Sequence, residues 1–149
     1  GFTASLAKRL NQESSISIKE AANNNTLQPG LALLAPGDYH MEVNSQGKVM
    51  LNQAPRKWSV RPCVDYMLTS AAKNYPNKVI GVILTGMGRD GSEGMKTVKK
   101  YGGYGIVEDK STALVHGMPG CAIKAGAYDD ILPLDQIPFK IIKLLERGF

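Results

Sequence analysis

The segment Lys78–Leu84, KVIGVIL, is a short and almost continuous apolar run that ends directly in Thr85-Gly86-Met87-Gly88-Arg89-Asp90-Gly91. A run this short is typical of a strand buried on both faces rather than of a helix. The glycine-rich loop leaves no room for a spacer before Ser92–Tyr101, where Met95 and Val98 mark the inward side of a helix. Strand, tight loop and helix in that order are the repeating unit of a parallel sheet, and this constrains the chain more than any other feature.

The flanking pattern agrees. Phe2, Leu6 and Leu10 recur at helical spacing and predict a helix over Gly1–Gln12. Ile16–Glu20 alternates like a strand, Leu31–Ala35 is a second one, and Asn23–Asn25 and Gln28-Pro29-Gly30 carry turn chemistry. Tyr39–Val43 and Lys48–Asn52 flank Ser45-Gln46-Gly47 and predict a small hairpin. Val64–Tyr75 is helical in pattern, Gly105–Val107 and Ile131–Leu132 are strands, and Cys121–Ala125 is a short helix. Leu134–Arg147 closes the chain as a helix with Ile137, Ile141, Leu144 and Leu145 on one face. The expected fold class is α/β: a mainly parallel sheet flanked by helices, with a small antiparallel hairpin at one side. Without an internal repeat or linker, residues 1–149 are expected to form one domain.

Composition narrows the function classes. With 43% hydrophobic and 21% charged residues, the 149-residue chain is neither disordered nor fibrous. No apolar run nears the ~20 residues of a membrane span, so no membrane insertion is expected. Eighteen Lys+Arg against 13 Asp+Glu give a net charge of +5, but the basic residues are scattered among few aromatic ones. An acidic protein partner therefore suits the chain better than a nucleic acid. Cys63 and Cys121 are far apart and in no C-x-x-C pattern, which predicts reduced thiols and a cytoplasmic location. The chain begins at Gly1 without an initiator Met and is expected to be a piece of something longer.

The glycine loop has two local readings. Gly86, Gly88 and Gly91 fit G-x-G-x-x-G, and Glu108-Asp109 lie at the end of the next strand, as in a nucleotide-binding module. Alternatively Asp90-x-x-Glu93 is a capping box that closes the start of the Ser92–Tyr101 helix. Asp38, His40 and Glu42 would share one strand face, where a solvated face is expected rather than a metal site. No metal or cofactor is expected, and small buried hydrophobes are the expected roles of the two cysteines.

Gly81–Gly91 followed by Gly94-Met95 closely resembles the catalytic domain of the protein-glutamate methylesterases of bacterial chemotaxis, the CheB family. Gly1-Phe2-Thr3 with Leu6–Leu10, Leu27–Gly30, Ala35–Asp38 with His40-Met41, Arg61-Pro62 with Val64-Asp65, and Gly117-Met118-Pro119 match in the same order. The resemblance implies hydrolysis of γ-glutamyl methyl esters on chemoreceptor helices by a Ser-His-Asp triad, with deamidation of receptor glutamines in some members. It implies that Asp90 is the triad acid, and that Met87, between Gly86 and Gly88, lends a backbone amide to the developing oxyanion. The family's serine and histidine precede Phe-Thr, so both would fall before Gly1; Ser92 lacks a nucleophile-elbow context. The resemblance therefore implies a truncated catalytic domain, inactive by itself, with a phosphoacceptor receiver domain upstream in the parent chain. The rivals are the nucleotide-binding module and a non-catalytic receptor-binding domain.

Overall fold

The computed structural model describes all 149 residues. Helix α1 (Phe2–Glu13) leads into β1 (Ser17–Glu20) and β2 (Leu31–Leu34), which pair in parallel with Ser17 opposite Leu31. Strands β3 (His40–Val43) and β4 (Val49–Asn52) form the expected antiparallel hairpin. Its turn is held by Asn44, whose side-chain oxygen accepts from the amides of Gln46 and Lys48, both at 3.0 Å. Then come α2 (Val64–Asn74), β5 (Ile80–Ile83), α3 (Ser92–Lys100), β6 (Tyr104–Glu108), α4 (Gly117–Lys124), β7 (Asp130–Leu132) and α5 (Ile137–Glu146). Strands β5, β6 and β7 form a parallel sheet in that order. The parallel pairing is thus divided between a two-stranded and a three-stranded sheet.

Both faces of the larger sheet are covered. Successive residues of β6 point to opposite sides, as pleating requires. Val107 joins Leu68, Ile83, Met95, Val98 and Ala122 in a core shared with α2, α3 and α4. Ile106 packs instead with Ile137 and Leu144 of α5. The hairpin contributes Met41, Val43 and Val49 to a third cluster against Met67 and Ala71 of α2.

Two helix starts and two expected packing residues differ from the sequence expectation. Helix α4 starts at Gly117, not Cys121, because Pro119 lies in its first turn, where a missing N–H costs no hydrogen bond. Leu134–Gln136 is a 3₁₀ turn separate from α5. Pro138 lacks the N–H that would have continued the helix back to Leu134. Leu145 is 56% exposed rather than on the packed face of α5, and Phe2 of α1 is 79% exposed.

Candidate active site

Strand β5 delivers the glycine loop to the edge of α4. The Gly86 amide donates to Val115 O at 3.0 Å, and the Met118 amide donates to Gly86 O at 2.8 Å. A Cβ on Gly86 would stand 2.4 Å from Met118 Sδ, so a larger residue there would have to displace the Met118 side chain. Gly88 has φ +93° and open space where its Cβ would be, so its requirement is purely conformational. The backbone amides of Met87, Gly88, Arg89 and Asp90 donate to no group of the chain, and the Met87 side chain is 85% exposed. These four consecutive amides have no partner within the chain.

Asp90 is 8% exposed and does not cap its own helix. The N-cap of α3 is Gly91, in the left-handed region, with no side-chain cap bond. The Asp90 carboxylate instead accepts from Val64 N at 2.7 Å, Asp65 N at 3.0 Å and the Cys63 thiol at 3.1 Å, all at the start of α2. Asp65, 2% exposed, returns the arrangement: its Oδ1 accepts from Gly91 N at 3.0 Å and Gly94 N at 2.8 Å, at the start of α3. The two helices exchange caps, each closed by the aspartate of the other. The capping-box expectation is therefore corrected: Glu93 pairs with Lys57, not with the Asp90 amide.

Asp65 Oδ2 also accepts from the Trp58 indole at 2.8 Å. Trp58 and Ser59 both have positive φ, +54° and +63°, in a tight turn closed by reciprocal bonds between Lys57 and Val60. That conformation costs a side-chain-bearing residue ~1–2 kcal/mol. The indole bond and the Arg89 guanidinium, 4.0 Å above the ring, offset it. Glu93 beside Lys57 raises the ammonium above its ordinary range.

Cys63 Sγ and oxygens of Asp65 and Asp90 lie within 4.8 Å of one another, a grouping that could hold a cation. Both carboxylates already accept from backbone amides, and Cys63 donates its proton rather than offering a thiolate. Burial, reinforced by the hydrogen bond to Asp90, pushes the Cys63 thiol up to about 12. A thiol reagent at pH 8 is expected to label Cys121 in the native protein and Cys63 only after urea unfolding. Equal native rates at both would contradict this geometry. The unfolded thiol ionises near 9 and the folded one near 12, so this contribution to stability is complete below pH 9 and lost as pH rises through that window.

None of the other candidates, Glu108, Asp109, Asp38 and the two histidines, bonds to Asp90. Glu108 is 1% exposed, with its oxygens accepting from Thr85 N at 2.8 Å and Thr112 Oγ1 at 2.9 Å, so it is closed to a ribose. Asp109 accepts from Ser111 N at 3.0 Å. The expected solvated face around His40 is overturned. His40 is fully buried, its Nε2 bonded to Pro55 O at 3.0 Å and its ring edge-on to Tyr66. Asp38 lies outside the strand at φ +71°, and the Arg61 guanidinium holds its carboxyl below the usual range. Neither His40 nor His116 bonds to Asp90.

A family model described as CheB methylesterase matches residues 1–141. The chain belongs to this family. A protein-glutamate methylesterase/protein-glutamine glutaminase of Thermotoga maritima is 47% identical over 97% of the chain and 43% of its own length. One of that name from Pyrococcus abyssi is 43% identical over 98% of the chain and 40% of its own length. The crystal structure of the Thermotoga maritima CheB methylesterase catalytic domain superposes with a TM-score of 0.93 over 97% of this chain and 78% of that one. This CheB-family chain thus spans less than half the length of these curated relatives.

The sequence reading placed Asp90, Gly86, Met87 and Gly88 in one loop, and the fold keeps them at the end of β5. It missed Asp65 and Trp58 as partners of that loop. An acid in the first turn of the Val64–Tyr75 helix was the available signal for Asp65; Trp58 carried none.

Proposed function

We propose that this chain provides the acid and the oxyanion loop of a site that hydrolyses glutamate γ-methyl esters, and deamidates glutamines, on the cytoplasmic helices of chemoreceptors. The observation that carries the reading is the Asp90 carboxylate, buried at the carboxyl end of a parallel strand beside four unengaged amides. A carboxylate has about four acceptor positions, and three are occupied here. Oδ2 accepts only from Val64 N and keeps a position for an imidazole N–H.

In this reading a histidine, oriented by Asp90, takes the proton of a serine as its Oγ attacks the γ-carbonyl carbon. The tetrahedral oxyanion is held by loop amides at Met87 and Gly88, worth about 3 kcal/mol of barrier for one donor. Methanol, or ammonia from glutamine, leaves with the proton from the imidazolium. Water then releases the acid through the same histidine. Serine and histidine are supplied by residues outside this sequence, and a receiver domain precedes them. No helix here is long and apolar enough to cross a membrane, in keeping with a site that meets the receptor in the cytoplasm.

Methanol release from methylated receptor membranes tests the assignment. The longer chain carrying the family's serine and histidine is expected to release methanol, and the 149-residue chain none. Release by the short chain would overturn the division of the triad; none from the longer chain would overturn the reaction.

A further inference from the structure

Beside the glycine loop lies a groove of about 430 Å³ lined by Trp58, Arg89, Ser92, Glu93, Lys96 and Lys124, with Cys121 and Ala125 completing its wall. It adjoins the candidate site directly: Arg89 is the neighbour of Asp90, and Cys121 Sγ lies 3.8 Å from Gly88 O. Three cations face it against one acid, and that acid is already paired with Lys57. Arg89, Lys96 and Lys124 take part in none of the chain's ion pairs. Arg56 and Arg61 share Asp38, Lys99 meets Asp129 and Lys140 meets Asp130, whereas the three groove cations converge on one concavity with no acid of their own. The Ser92 hydroxyl is shielded from solvent and has no partner within the chain.

We propose that this groove is a recognition subsite for an acidic peptide segment, holding carboxylate side chains of the protein substrate next to the glutamyl ester. The inference rests on the proposed reaction, because that reaction requires a protein chain to lie across the loop. Arg89, braced on the Trp58 ring at 4.0 Å, presents a fixed guanidinium fork to a carboxylate. Lys96 on α3 and Lys124 on α4 supply charge on the two walls. Arrangements of this kind steer and orient a charged partner more than they tighten it.

Trp58 is the chain's one tryptophan, so its fluorescence reports on the groove without any turnover. The probe is a soluble glutamate-rich peptide of about six helical turns, alongside the same peptide with every Glu replaced by Gln. The Glu peptide is expected to change Trp58 emission saturably, and the Gln peptide to leave it unchanged. The double variant Lys96→Gln/Lys124→Gln should raise Kd about tenfold at low salt, a difference that shrinks as the Debye length falls to about 8 Å at 0.15 M. Both lysines are exposed, and circular dichroism checks that the variant keeps its fold. Equal binding of the two peptides, or an unchanged Kd in the double variant, would overturn the subsite. Because no ester is cleaved, these results stand apart from methanol release. Selective Glu binding in a protein whose longer form releases no methanol would leave the subsite supported and the reaction overturned.

Discussion

Asp90→Asn, placed in the longer chain with its serine and histidine, is expected to lower methanol release by about 10⁴-fold. An amide at this position fixes the wrong tautomer of a histidine and cannot stabilise an imidazolium. Near-equal activity would reduce Asp90 to a helix cap. The variant is expected to fold, because Asn Oδ1 still accepts at a helix start, as Asn does at ordinary caps. Replacing one oxygen by an NH₂ group leaves one donor of α2 facing another donor, a cost of about 1–3 kcal/mol. Activity lost with the fold intact therefore separates the chemical role from the structural one, and thermal unfolding of the same sample provides that check.

Asp65→Ala is expected to have the larger effect on stability. It leaves the Gly91 and Gly94 amides and the Trp58 indole without their acceptor in a site 2% exposed. Removing one partner of a buried, fully bonded charge costs about 3–5 kcal/mol. At about 2–4 °C per kcal/mol for a chain of this size, Tm should fall by roughly 6–20 °C. Trp58 emission should also shift, as its indole loses Asp65 and the tight turn at Lys57–Val60 relaxes. A change of under about 3 °C would mean that water satisfies these donors and that the exchange of caps contributes little.

The local parts of the fold were legible in the sequence. Lys78–Leu84, the Tyr39–Asn52 hairpin and the inward side of α3 at Met95 and Val98 each follow from a short pattern that burial then respects. What was not legible depended on partners distant in the chain. The capping-box alternative put Asp90 on the wrong helix, because its amide partners lie 25 and 26 residues away. Glu93 left the expected capping box for Lys57, 36 residues earlier. Alternation placed His40 on a strand face but carried no information about depth; Tyr66 of α2 covers it. Pro119 and Pro138 moved two helix starts for reasons written in the sequence, once the first turn is counted as open to proline.

The crossed caps make α2 and α3 open and close as one cooperative unit. Any fluctuation that lifts the start of α3 withdraws Asp90 from Val64 and Asp65 in the same movement that frees Gly91 and Gly94. The candidate acid therefore cannot fray by itself: its local opening free energy is shared by two helices and the core between them. A loop built from glycines, which looks like the most pliable stretch of the chain, is thereby tied to the helix pair and its carboxylate held in place.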